Sequence, residues 1–187
     1  MEAKDFVTLA LLAAGGEVQG KTKLQKTIYL LGLITEHVDD LGYRAHFYGP
    51  YSDDVAEGVT TLKTIGAIDQ NVTDWGHDQS GFEVRRYDFR LSEQGKRFAE
   101  SKARKHPDLF EKLQRAMTVL KKAGDVDYME MSIAAKTYFM LGQKKGRASM
   151  HELAQLAPRF GWSVTPQQVR QAAEYLSRLG LVELSNN

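Results

Sequence analysis

The stretch from Gly15 to Leu31, GGEVQGKTKLQKTIYLL, decides how the chain is to be read. Its first eight residues satisfy G-x-x-x-x-G-K-[ST], the pattern in which backbone amides and a lysine cradle nucleotide phosphates. A phosphate loop works because a buried strand delivers the glycine loop to a helix N-terminus, while a second strand places a magnesium-binding acid nearby. Upstream, EAKDFVTLALLAAGG (2–16) is rich in Ala and Leu, has only Val7 and Thr8 β-branched, and ends in paired glycines of the kind that close a helix. The segment before the motif is therefore predicted helical, and Asp69 of GAID, the one acid that ends a later apolar run, reads as part of a hairpin. Gly20 then turns the chain, and Thr22 with Gln25 forms a T-x-x-Q capping box that opens a helix. Nucleotide binding through GGEVQGKT stands as a minor alternative.

Working outward, Leu24, Ile28, Leu31 and Ile34 follow at helical spacing to about Val38. YRAHFY (43–48) is short and aromatic, as a strand would be, and the Gly-Pro after it is a breaker. A further helix is expected from Ser52, with Asp53 and Asp54 at the positive end of its dipole and Val55, Val59, Leu62 and Ile65 on one face; Gly66 ends it. The period then changes to two: AIDQNVTDW (67–75) and FEVRRYDFRL (82–91) are strand-like runs separated by GHDQSG, a hairpin tip made of turn residues. A helix capped at Ser92 follows. The order helix, helix, short strand, helix, hairpin, helix is that of a winged helix-turn-helix domain over residues 1–104.

In the remaining third, Pro107 suits the first turn of a helix whose stripe is Leu109, Phe110, Leu113, Met117 and Leu120. This connecting segment, 105–127, either packs on its own chain or offers a homodimer seam through the 107–123 helix. From 128 to 187 come a helix to about Leu141, a second capping box at Ser149 and Glu152, and a third at Thr165 and Gln168 with Pro166 at the first helical position. YLSRLGLVEL parallels TLKTIGAIDQ of the first half as helix, glycine and apolar strand, and FGWSVTP lies where HFYGPYS does. The expected fold is mainly α with a small β-hairpin wing, an α+β chain in which a winged helix-turn-helix is followed by a second, wingless helix-turn-helix unit.

Two elements, Lys-Leu-Gln-Lys at 23–26 and Phe-Tyr-Gly-Pro-Tyr-Ser at 47–52, resemble the YwgA-like bacterial family and, more distantly, the Panacea-type antitoxin domain. The similarity covers about residues 8–70. The resemblance implies a helix-turn-helix-like fold and a place in regulation or toxin neutralisation, with no established enzymatic activity and no catalytic residue to carry over.

Composition bounds the function classes. The 25 Lys and Arg nearly cancel 24 Asp and Glu, so any basic surface must be local. With no cysteine there is no disulfide framework or thiolate chemistry, which suits the cytoplasm. The apolar run near the N-terminus lacks a basic flank and is too short to cross a bilayer, so no membrane partner is expected. His37, His46, His77, His106 and His151 are dispersed without metal-ligand spacing, and no cofactor, metal site or catalytic constellation is expected. From Arg85 to Lys105 there are eight basic residues and three acids. Arg85, Arg86 and Arg90 on the wing, with Lys21, Lys23 and Lys26, are expected to meet DNA phosphates, and Gln167, Gln168, Arg170 and Gln171 to read a groove. Against this, Asp53, Asp54 and Glu57 would repel a polyanion. The first expectation is a DNA-binding transcriptional regulator, not an enzyme. The alternative is an antitoxin-like or adaptor protein that binds a toxin or other protein through Tyr48, Tyr51, Asp53, Asp54 and Glu57 without DNA.

Overall fold

A computed structural model describes residues 1–77, 83–124 and 126–185. Most of the tip expected at GHDQSG lies outside the described residues. The fold is mainly helical with one small antiparallel sheet: α1 (Ala3–Ala14), β1 (Glu17–Gln19), α2 (Lys21–Ile34), α3 (Asp53–Thr64), β2 (Ile68–His77), β3 (Glu83–Leu91), α4 (Glu93–Lys105), α5 (Pro107–Lys122), α6 (Tyr128–Gln143), α7 (Met150–Leu156) and α8 (Pro166–Arg178). Short 3-10 turns occupy Val38–Leu41 and Ala157–Phe160. No described helix is long and apolar enough to cross a membrane.

Gly15 closes α1 in the left-handed region at φ +99°, where a residue with a Cβ would be strained. The chain then enters β1, a strand that the sequence reading missed. The sheet order is β1-β3-β2, with Val18 opposite Phe89 and Ile68 opposite Leu91. These four side chains are buried together on the inner face. YRAHFY, expected as a strand, contributes only a single bridge between Arg44 and Tyr51. The tail after Gly180 forms no ladder among the described residues; Leu181 and Val182 lie half-buried against the core.

Helix α1 is the centre of the core, with Phe6, Val7, Leu9 and Leu11 fully buried beneath α3, α4 and α5. Gly95 lets α4 press on the start of β2, since a Cβ there would come within 1.9 Å of the Ala67 carbonyl oxygen. Helix α6 packs on α2, and α8 on α6. Met131, Ala134, Ala172, Tyr175 and Leu176 of these later helices join the same core as α1, while Met140, Leu153, Leu156, Trp162 and Val169 make a smaller cluster under α7. The α5 stripe is consumed by this core: Leu109, Leu113, Met117 and Leu120 are buried within the one chain, so the homodimer seam expected on that stripe is not left exposed.

The cap signals at Ser52, Ser92, Ser149 with Glu152, and Thr165 with Gln168 all form as read, and Asp127 with Glu130 makes a further capping box. The box expected at Thr22 and Gln25 does not form. The N-cap of α2 is Gly20 at φ +88°, without a side-chain cap. Gln25 is buried and turned inward, where its Nε2 donates to the Ser52 carbonyl at 2.9 Å and its Oε1 accepts from the Ser52 N–H at 3.2 Å. A side-chain amide that pairs both polar groups of one buried peptide residue satisfies more than an exposed cap would. Gln25→Ala should therefore destabilise the protein by about 2–3 kcal/mol, because a buried N–H loses its acceptor, whereas Thr22→Ala should cost less than about 0.5 kcal/mol. Urea unfolding of the two variants measures the difference.

Candidate functional site

The Lys-Leu-Gln-Lys and Phe-Tyr-Gly-Pro-Tyr-Ser segments meet in space. Lys26 of α2 is 1% exposed, and its Nζ donates to the Pro50 carbonyl at 2.6 Å. With Gln25 on Ser52, consecutive residues of α2 hold both sides of Tyr51. The Ser52 hydroxyl also donates to the Leu41 carbonyl while capping α3 through the Val55 N–H. The loop between them is closed at its base by Arg44 and Tyr51, whose N–H groups donate to each other's carbonyls at 2.9 and 2.8 Å. At its tip, Gly49 N–H donates to the His46 carbonyl at 2.9 Å.

The C-terminal helices hold the same loop from the other side. Trp162 Nε1 donates to the His46 carbonyl at 2.6 Å. Its ring packs with Phe139 and Phe160, centroids 5.8 and 4.9 Å away. Gly49 sits at φ +99° directly over Lys136 of α6, whose Cγ would lie 3.1 Å from an added Cβ. The His46 ring lies 5.0 Å from that of Tyr51. So fixed, the loop leaves Phe47 78% and Tyr48 67% exposed. Helix α3 begins directly after it, with Asp53, Asp54 and Glu57 all exposed; Asp53 is paired with Arg44 at 2.5 Å.

Lys26 is thus withdrawn from the expected phosphate-contacting set. Burial, and then the neighbouring Lys136, push its pKa down from 10.5 to about 8, and burial lowers that of Lys136 as well. Lys21 is exposed, with its Nζ 3.8 Å from the centre of the Tyr87 ring, and Lys23 is half-buried on the same turn. The wing arginines face acids: Arg85 lies 3.5 Å from Asp74, Arg86 2.9 Å from Asp88, and Arg90 2.7 Å from Glu17. The three strands hold five acids, Glu17, Asp69, Asp74, Glu83 and Asp88, and three arginines, so the sheet is not the basic surface that the 85–105 count implied. Two further cations in that count, Lys96 and Lys102, pair with Glu93 and Asp5 at 2.7 Å each.

Of the groove-reading set, Gln168 is engaged in its capping box, while Gln167, Arg170 and Gln171 are exposed on α8. The phosphate-loop motif folds as sheet: its middle residues 17–19 are β1, and the Gly20 N–H donates to the Tyr87 carbonyl at 2.9 Å. No cluster of three metal-ligating side chains occurs among the described residues. Lys136 and Trp162 were not singled out from the sequence, and Phe47 was read only as part of the FYGPYS motif. FGWSVTP was legible as an extended aromatic piece, but not its contact with a loop 116 residues away.

No protein-family model and no curated protein matches the chain.

The buried lysine has a measurable signature. Below about pH 8 Lys26 is protonated in both the folded and the unfolded chain. Between about 8 and its ordinary 10.5 the unfolded chain holds the proton and the folded one does not, so unfolding takes up a proton and stability rises with pH. Above pH 10 the buried Tyr29 and Tyr43, whose pKa values are raised by burial, ionise only on unfolding and oppose the trend. Urea melts should show stability climbing from pH 8 to 10 by up to about 2 kcal/mol, and Lys26→Met should flatten that climb.

Proposed function

We propose that the chain is a regulatory protein of the antitoxin or adaptor kind, acting by holding a basic protein partner on the Phe47–Tyr48 tip and the acidic start of α3. One observation carries the reading: two adjacent aromatic side chains, 78% and 67% exposed, stand on a loop whose backbone is already fixed. Aromatic anchors dominate protein interfaces, and a pre-ordered loop loses little conformational entropy when it binds. Asp54 and Glu57, exposed directly downstream, supply charge to steer a basic surface. The resemblance to the Panacea-type antitoxin domain points to the same class of role.

The element order α1-β1-α2-α3-β2-β3 supports reading the first part of the chain as a winged helix-turn-helix, and the succession α6, α7, α8 supports reading the last part as a wingless three-helix unit. Such folds serve both nucleic-acid and protein recognition, so the site decides between them. DNA binding is the second reading, and a different observation favours it. Between 144 and 178 the chain carries six lysines and arginines against two acids, and Gln167, Arg170 and Gln171 face solvent on α8. If DNA is bound, α8 reads the groove and the sheet stays off the phosphates.

The two readings separate in one set of preparations. Affinity purification from the native cell should recover a stoichiometric partner, and reconstituted binding should weaken about thirtyfold or more in Phe47→Ser/Tyr48→Ser without a change in melting temperature. Recovery of the protein alone, with salt-dependent DNA binding that Arg170→Ala/Gln171→Ala abolishes, reverses the assignment.

A further inference from the structure

The last turns of α2 and α6, with the 3-10 turn at Val38–Leu41, border a cleft of about 290 Å³, near the lower end of the size that small organic ligands occupy. Four aromatic rings line it: Tyr29 from α2, Tyr43 just after the 3-10 turn, and Tyr138 and Phe139 from α6. Tyr29 is 3% exposed, whereas Tyr43, Tyr138 and Phe139 are half-buried and keep surface within a guest's reach. The rings are fixed before any guest arrives. Those of Tyr29 and Tyr43 meet at 60° with centroids 4.8 Å apart, and the Tyr43 hydroxyl donates to the Gln25 carbonyl at 2.8 Å. Phe139 is held edge-on by Phe160, centroids 5.7 Å apart.

The charge at the cleft has one sign. Asp39 is exposed in the lining, no cation pairs with it among the described residues, and neither lysine nor arginine lines the cleft. Leu33, Gly142 and Gln143 bring the C-terminal ends of two helices to it, where the backbone dipoles are negative. Lys144 and Lys145, which follow α6, stay out of the lining, and Glu36 and Asp40 accompany Asp39 in the connection after α2. Burial raises the pKa values of Tyr29 and Tyr43, so at neutral pH both are uncharged phenols whose ring faces carry a negative quadrupole.

We propose that this cleft binds a small quaternary ammonium cation, its methyl groups against the tyrosine and phenylalanine rings and its charge balanced by Asp39. Aromatic walls attract a cation but supply none of the oxygen ligands that a metal ion needs in exchange for its water. An alkylated ammonium has no N–H to leave unpaired, so rings and one carboxylate suffice for it. This site is independent of the Phe47–Tyr48 surface and is tested without a protein partner.

The probes are choline and 3,3-dimethylbutan-1-ol, its neutral counterpart of the same shape, titrated calorimetrically into the full-length protein. One choline per chain should bind saturably and raise the melting temperature, with the alcohol at least about fivefold weaker. Tyr138→Leu should weaken choline about fivefold or more, while Tyr138→Phe, which keeps the ring, should hold it within about twofold of the wild type. Asp39→Asn, a change on an exposed turn that keeps the test informative should Tyr138→Leu lower stability, should weaken choline severalfold and leave the alcohol unmoved. No saturable choline binding by the wild type overturns the proposal. So does the alcohol binding as tightly as choline, or choline binding that Tyr138→Leu and Asp39→Asn both leave unchanged.

Discussion

The clasp between α2 and the residues just ahead of α3 is the constraint on which the rest of this structure depends. Between these helices lie 18 residues, 35 to 52, with only a short 3-10 turn and one isolated bridge for regular structure. A connection of that length inside a compact domain costs substantial conformational entropy to order. Gln25 and Lys26 recover it by taking the polar groups of Ser52 and Pro50, and Ser52 in turn caps α3. The angle at which α3 meets α1 is thereby tied to two side chains on α2.

From this follows the joining of the two halves of the chain. The face of α2 that offers Gln25 and Lys26 to the loop belongs to the same helix that packs on α6. Helix α6 brings Lys136 under Gly49, and the segment before α8 brings Trp162 to the His46 carbonyl. The loop is therefore gripped by elements from both ends of the sequence. The expected boundary between a first unit ending near 104 and a second starting near 128 does not interrupt the core, because Met131, Ala134, Ala172 and Leu176 pack in the same cluster as Phe6 and Leu9.

What the sequence revealed follows from the range of each interaction. Helices and their caps were legible wherever the signal is local: Ser149 with Glu152 and Thr165 with Gln168 act over three residues, and each forms as read. β1 was not legible, since three residues, Glu-Val-Gln, carry no period and owe their strand form to β3, some 70 residues on. Thr22 and Gln25 had the right spacing for a cap, yet Gln25 had a buried backbone partner 27 residues away that a local reading does not see. The arginines of β3 were legible as charges but not as pairs, because Asp74 and Glu17 lie on neighbouring strands. Of the candidate site, the motif FYGPYS was visible, while the exposure of Phe47 and Tyr48 depends on Trp162 and Lys136, which no spacing rule connects to it.

The choice of lysine at position 26 is itself informative. A methionine there would fill similar space without the expense of desolvating an ammonium. Proline offers no N–H, however, so the carbonyl is the only backbone hydrogen-bonding group at position 50, and position 50 is buried. A thioether cannot donate to it. Lys26 spans the gap from α2 with a straight stem and ends in a donor, which fixes the loop at one place along the helix. Lys136, close enough to depress the Lys26 pKa, runs its side chain against Gly49, so the Gly-Pro turn has two like charges nearby, with the Pro50 carbonyl held by one of them. That arrangement lowers stability at neutral pH but leaves the turn one position to occupy, which is what presenting Phe47 and Tyr48 in a constant geometry requires.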